Sequence, residues 1–353
     1  MAGAPRIPLI LDVDTGIDDG LALLYAVSSP EADVVAVTAL SGNAHLDDTE
    51  RNTRAILELA GRTDIEVAGG RPIPLLRPLE VTPETHGPHG IGYAQLPEPT
   101  RARSERFGPQ LIVDEARNRP GELTLVTLGP LTNLAIAVLM EPDLPRLLKR
   151  WVLMGGTFRA PGNTSPVAEW NIHCDPEAAK IAFAAWQAAV ARDPTTARAL
   201  ALGLDVTERA RIGTDHVVAL ARRAGSTADD TLDPNREPGD PERRSVASNP
   251  VVRFVADALR FYFEFHARHD GFYGAFVHDP LVVAVALDPS LVRTEPVAVD
   301  VDTSGGVGDG QTIADFRRLW GRTPNVDLAV EADADAFLER LIERLGGMAE
   351  RRA

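Results

Sequence analysis

The stretch IPLILDVDTGIDDGLALLYAV, residues 7–27, sets a continuous apolar run against four aspartates, Asp12, Asp14, Asp18 and Asp19, and then a second apolar run. Apolar residues in succession, rather than in alternation, mark a strand buried on both faces. LALLYAV reads as a helix, so the segment is the strand, loop and helix that open a parallel α/β sheet. Four like charges at the end of a buried strand repel one another unless a cation lies among them. Oxygen ligands select a hard divalent ion, and Ca2+ tolerates an irregular, many-liganded loop better than Mg2+ does. Attraction to the helix macrodipole accounts for Asp18 and Asp19 as N-terminal acids. It does not account for all four.

Outward from this segment the same alternation continues. Strands are expected at residues 7–13, 33–40, 65–69, 123–129 and 150–156, with helical patterns in LALLYAV, 46–60, 109–118 and LTNLAIAVLM. Asp175-Pro176-Glu177 has the form of an N-cap followed by proline at the first helical position. Residues 224–249 are polar and proline-rich, and are expected to form a mobile excursion that interrupts the domain without dividing it. VVRFVADALRFYFEF is then a strongly apolar helix, and another begins at His278-Asp279-Pro280. PVAVDVD and NVDLAVEA read as strands, followed by a closing helix from Ala334 to Leu345.

Composition narrows the function. The chain has 353 residues, enough for one large or two smaller domains. Its net charge of −15 argues against nucleic acid or an anionic membrane as partner, because both need clustered positive charge. The single cysteine, Cys174, allows no internal disulfide, which fits a reducing cytoplasm. The N-terminal apolar stretch runs straight into aspartates and offers neither a signal-peptide core nor a cleavage site. Nor does any segment have the apolar length to span a bilayer.

In an open parallel sheet, ligands bind at the carboxyl ends of the strands. The polar loops here fall at those ends: Asp12–Asp19 after the first strand, Ser41-Gly42-Asn43 after the second, Leu128-Gly129-Pro130 after the fourth, and GGTFRAPGNTSPVAEWNIHCDPE after the fifth. The last carries Asn163, Glu169 and Asn171, groups that match sugar hydroxyls better than phosphate.

These pieces carry a family resemblance. DVDTGIDDG, SGNAHLDDTERN, HGPHGIG, LGPLTN, the GN…AEWNIHCDPEAA loop, GLDVT and HDP follow one another in the order and at roughly the spacings of the inosine-uridine-preferring nucleoside hydrolases. The resemblance implies a single Rossmann-like α/β domain over residues 5–349, with a mostly parallel central sheet flanked by helices. It implies hydrolysis of the N-glycosidic bond of ribonucleosides with a bound Ca2+, and assembly into homodimers or homotetramers. Position by position, it makes Asp14, Asp19, Asp279 and the Leu128 carbonyl the calcium ligands, with Asp14 also the base that takes a proton from the attacking water. It puts Asp18 and Asn171 on the ribose 2′- and 3′-hydroxyls, with Asp279 also beside the substrate, Asn163 and Glu169 on the 5′-hydroxyl, and Asn43 near water and substrate. His278 is made the second catalytic residue, placed toward the base and assisting its departure, and His86 lies in a loop over the site, with His89 its rival there. Tyr262, His266 and Tyr273 are candidates for base contacts, although an aromatic on an apolar helix is more often core.

Two other functions compete. DVDTG also resembles the signature of haloacid-dehalogenase-like phosphatases, with Asp12 as nucleophile; against it, the chain's two lysines, Lys149 and Lys180, lack a phosphate-binding context. A non-catalytic, calcium-dependent nucleoside binder is the second, opposed by the presence of Asp14, Asp18 and Asn171 together.

Overall fold

Six strands follow one another through the first 202 residues: β1 (Ile7–Val13), β2 (Ala32–Ala39), β3 (Glu66–Gly69), β4 (Thr124–Thr127), β5 (Arg150–Met154) and β6 (Ala199–Leu202). They belong to a computed structural model that describes residues 6–226, 230–235 and 238–352. Residue 5, where the expected domain begins, and residues 227–229 and 236–237 of the expected excursion lie outside these. Next come β7 (Arg211–Ile212), β8 (Ala275–Phe276), β9 (Val292–Val297), β10 (Val299–Val301), β11 (Thr312–Ala314) and β12 (Val326–Ala332). The main sheet has eight strands in the order β3-β2-β1-β4-β5-β6-β12-β9, all neighbours parallel except β12 and β9. The fold is the expected Rossmann-like α/β domain.

Burial explains the order. Leu9 to Val13 are all buried in β1 and all of β4 is buried, so both require cover on two faces and occupy the middle of the sheet. Helices α1 (Ile17–Ser28) and α2 (Leu46–Leu59) contribute to the core on one face, and α3 (Gly108–Asn118), α4 (Thr132–Met140) and α5 (Pro176–Arg192) to that on the other. Helices α6 (Thr214–Arg223), α7 (Pro250–His269), α8 (His278–Leu287) and α9 (Ala334–Glu350) complete the first face. α8 is buried from Asp279 to Leu287, which is why its sequence is apolar all round. The order in which successive strands are laid down reverses between the parallel neighbours β1 and β4. That switch point opens a crevice at their carboxyl ends, and Asp14 and Leu128 lie there.

Three segments depart from the sequence expectation. β6, ALAL, has no β-branched residue and carries no strand signal of its own; it pairs between β5 and β12 because tertiary burial outweighs its propensity. PVAVDVD is divided: β9 ends at Val297, and β10 turns away to pair with β11 in a separate ribbon. Pro296 is tolerated because β9 is the edge strand, where a missing N–H can face outward. Within 224–249, the described residues bury Leu232 and Ala247 and bond to α7. Gly239 N donates to Glu264 Oε2 at 2.9 Å, Ser245 N to Asp257 Oδ1 at 2.6 Å, and Arg260 Nη2 to the Asp240 carbonyl at 2.6 Å. Among the described residues, no helix is long and apolar enough to cross a membrane.

Candidate active site

Asp14 leaves the end of β1 between two glycines. A Cβ at Gly42 would come within 2.1 Å of Asp14 Oδ2, and one at Gly129 within 2.6 Å of its Oδ1, so only glycine lets the loops after β2 and β4 close on this carboxylate. Asp14 Oδ2 accepts from Asn43 N at 2.7 Å, while Oδ1 is buried with no partner. Asp19 repeats the pattern: Oδ2 accepts from Gly16 N at 2.9 Å and Asn43 Nδ2 at 3.1 Å, and Oδ1 is buried and unpartnered. Asp18, Asp19 and Asp279 bring carboxylate oxygens within 4.8 Å of one another.

Such an arrangement is electrostatically strained. Burial, then repulsion from Asp19, raises Asp18 to about 8. Burial likewise pushes Asp14 and Asp279 well above the ordinary carboxylate range, with Asp19 first among the charged neighbours of Asp14 and Asp18 first for Asp279; burial also raises Asp19. Buried carboxylates stay ionised when a cation compensates their charge. All-oxygen donors and two orphaned carboxylate oxygens fit a hard divalent ion.

Above the cluster lies a cavity of about 710 Å3, with Asp18, Asn43, Leu128, Asn171 and Asp279 in its wall. Asp14 and Asp19 are fully buried and back this wall rather than forming part of it. Asn171 is set by the turn Trp170–Cys174, whose N-cap is Glu169. Its Nδ2 donates to the Leu128 carbonyl at 2.7 Å. Glu169 lines the cavity, yet three backbone amides already bond its carboxylate: Asn171 N and Gly156 N at 2.8 Å each, and Ile172 N at 3.3 Å. Asn163 also lines it, with Oδ1 accepting from Trp170 N at 3.0 Å.

The opposite end is aromatic and rich in histidine. His86 enters the site and His89 does not. His86 is buried, its Nδ1 accepts from Ile17 N at 3.2 Å, and its ring packs on Tyr262, whereas His89 sits outside the cavity on Asp48. His278 Nδ1 lies 2.8 Å from Thr207 Oγ1. Burial, then the proximity of His266, pushes both His86 and His278 down to about 3, so both are neutral imidazoles. Tyr262 and His266 line the cavity; Tyr273 does not, and instead packs edge-on against Phe263.

Sequence reading passed over three residues here. Thr207 holds His278, Asp270 pairs with His266, and Glu208 joins the wall. The four-residue spacing of His266 and Asp270 was the one available signal, since it puts both on one helix face. Asp12, by contrast, is tied to Thr38 Oγ1 at 2.6 Å and Asn133 Nδ2 at 2.8 Å and does not line the cavity.

The site is thus an oxygen-lined acidic floor at the switch point of a parallel sheet, beneath a cavity with one polar and one aromatic end. Residues 9–339 match the sequence profile of the inosine-uridine preferring nucleoside hydrolases. The chain is 38% identical over 340 residues to the pyrimidine-specific ribonucleoside hydrolase RihA of Salmonella newport (strain SL254), covering 96% of this chain and 98% of that protein. Among solved structures, the purine-preferring ribonucleoside hydrolase from Gardnerella vaginalis superposes with a TM-score of 0.84 at 31% identity, covering 98% of this chain and 99% of that one. The plant nucleoside hydrolase PpNRh1 gives 0.82 at 30% identity, covering 97% and 99%. The chain therefore belongs to the inosine-uridine preferring nucleoside hydrolase family. It is an enzyme, a ribonucleoside hydrolase acting on N-glycosyl bonds.

Proposed function

We propose that this chain hydrolyses the N-glycosidic bond of ribonucleosides to free base and ribose in a calcium-dependent reaction. The observation that carries the reading is the convergence of Asp14, Asp18, Asp19 and Asp279, two with orphaned buried oxygens, under a cavity whose polar end carries Asn163, Glu169 and Asn171. Asp14, Asp19, Asp279 and the Leu128 carbonyl would hold the ion; Asp18 lies close enough to Asp19 and Asp279 to share in the cluster. When bound, Ca2+ supplies positive charge that acidifies water and fixes a vicinal diol.

The protein's own groups perform the rest. Asp14 takes a proton from the attacking water, and its unpartnered Oδ1 is free to hold it. Asp18 and Asn171 orient the 2′- and 3′-hydroxyls. Asn163 and Glu169 receive the 5′-hydroxyl, Glu169 by the lone pairs its amide bonds leave over. Asn43 sits between Asp14 and Asp19 and aligns both, beside water and substrate. Cleavage of the C1′–N bond builds positive charge on the ribose ring, and the buried carboxylates stabilise it. His278 assists departure of the base, and His86 faces the base from the same end of the cavity.

Relatives differ in base preference, one named pyrimidine-specific and another purine-preferring. We favour pyrimidines, because the four tryptophans, Trp151, Trp170, Trp186 and Trp320, are dispersed and offer no tandem pair to sandwich a purine. A cytoplasmic homodimer or homotetramer completes the reading. Incubation with a panel of ribonucleosides should release free base and ribose; release of neither would remove the proposal. The phosphatase alternative loses support from Asp12, whose would-be nucleophilic carboxylate is tied up by Thr38 and Asn133.

Metal analysis of the purified protein should find one Ca2+ per chain. Removal should introduce a pH dependence of stability whose sign follows from the raised carboxylates. Asp18 releases its proton near 3.8 when unfolded and near 8 when folded without the ion. Stability of the metal-free protein is then full below about pH 4 and is lost as pH rises toward 8. Thermal melts across that range should slope downward after chelation and flatten when Ca2+ is restored. A melting temperature indifferent to chelation at pH 8 would contradict the metal site.

A further inference from the structure

Arg260 is fully buried on α7, yet it does not line the cavity described above. Its Nη2 donates to the Asp240 carbonyl at 2.6 Å, and its Nη1 stands 3.6 Å from Glu264 Oε1, one helical turn on, while Nε and Nη1 have no hydrogen-bond partner. The guanidinium lies over the ring of Tyr93, 3.9 Å from its centroid. Tyr93 in turn donates its hydroxyl proton to Glu264 Oε2 at 2.7 Å, an oxygen that also accepts from Gly239 N at 2.9 Å. Three segments therefore meet in one ionic cluster: α7, the described part of the 224–249 excursion, and the loop that runs on from His86.

A buried ion pair is a weak source of stability, because desolvating two charges costs about what their attraction returns; its best-attested use is to fix register. The register fixed here is that of the His86 loop. Gly92 has a φ of +59°, and a Cβ there would come within 2.7 Å of Phe261 Cβ and 3.0 Å of the Ala258 carbonyl oxygen, so the loop meets α7 through bare backbone immediately before Tyr93. Gly92 N also donates to the His86 carbonyl at 2.8 Å, which closes the loop and makes His86 and Tyr93 the two ends of one unit. On α7, Arg260 and Glu264 are four residues apart and share a face, whereas Tyr262, Phe265, His266 and His269 line the cavity from another side of the helix. His86 packs on Tyr262, so loop and helix meet twice, once in the cavity wall and once behind it.

We propose that Tyr93, Arg260 and Glu264 are positioning residues that lock the His86 loop to α7 and so hold the base end of the cavity in its binding-competent shape. The Gly239–Asp240 segment of the excursion braces the lock. None of the three side chains lines the cavity; they act through His86 and Tyr262. The inference rests on the ribonucleoside-hydrolase reading and leaves every role given there as it stands.

The consequence falls on binding. With the lock broken, the loop samples conformations in which His86 has left Tyr262, and apparent affinity falls with the fraction of molecules still competent. Substrate that does bind re-forms the closed end, so the chemical step on bound nucleoside is little altered. A merely structural role would instead lower the melting temperature and the amount of active protein, and leave KM where it was.

The test compares uridine kinetics and amide hydrogen exchange in the wild type, Tyr93→Phe and Tyr93→Ala, all in buffer containing Ca2+. Tyr93→Phe keeps a ring beneath Arg260 and deletes one bond to Glu264; KM should rise roughly 3- to 10-fold with kcat within about twofold of the wild type. Tyr93→Ala also takes the aromatic face from a buried cation, and KM should rise roughly 10- to 100-fold. In both variants the amides of the 86–92 loop should exchange faster than in the wild type, while those of β1 keep their protection and report an intact fold. Should Tyr93→Ala fail to fold, Tyr93→Phe decides alone. Either an unchanged KM or an unchanged exchange of the loop overturns the positioning role and leaves the function standing. A wild type that cleaves no ribonucleoside overturns the functional reading instead, and the exchange comparison still decides whether the lock holds the loop.

Discussion

Asp14→Asn is expected to lower kcat/KM for uridine by about 1,000- to 10,000-fold, the largest loss of any single substitution in this site. The change is nearly isosteric, so the Gly42 and Gly129 cradle should still close around it. Its chemistry is not conserved. An amide cannot take a proton from water, and an NH2 group in place of either oxygen meets the Asn43 N–H donor or removes the oxygen left free for a cation. Asn171→Ala should cost far less, roughly 10- to 100-fold, because it deletes hydrogen bonds to the sugar and leaves water activation intact. Liquid chromatography of released uracil measures both, with circular dichroism as a check on folding. Equal residual activity in the two variants would contradict the separation of roles.

The second large effect lies on the substrate. 2′-Deoxyuridine is expected to react about 10,000-fold more slowly than uridine in kcat/KM. The 2′-hydroxyl is assigned to Asp18, a buried carboxylate raised to about 8 by desolvation and by Asp19. A pocket that must leave such a group without its partner discriminates by the cost of that orphaned group, more strongly than an apolar pocket discriminates by fit. Steady-state rates on the two nucleosides at one Ca2+ concentration decide it. Comparable rates would show that the 2′ position is not read by the acidic cluster.

The assignments rest on unequal signals in the chain. Asp14, Asp18 and Asp19 lie within six residues, so one loop after one buried strand carries most of the acidic cluster, and repulsion between like charges is legible without a structure. β1 to β5 were legible because their apolar runs are continuous and bounded by loops. β6 was not, since ALAL has the composition of a helix and becomes a strand by pairing with β5 and β12.

At the base end, legibility falls further. His86 and His89 are three residues apart in one glycine-rich loop, and sequence offers no reason to prefer either. The choice follows from the close approach of His86 Nδ1 to Ile17 N and of its ring to Tyr262, residues distant in sequence. Likewise Thr207 reaches His278 only because the turn after β6 meets the start of α8. Local pattern by itself determined the parallel α/β class, the acidic loop and the apolar helices, because strand burial, helical periodicity and charge repulsion act between near neighbours. Tertiary structure alone decided which histidines share a cavity and which carboxylate oxygens are left without partners, because those depend on contacts between segments that only packing brings together.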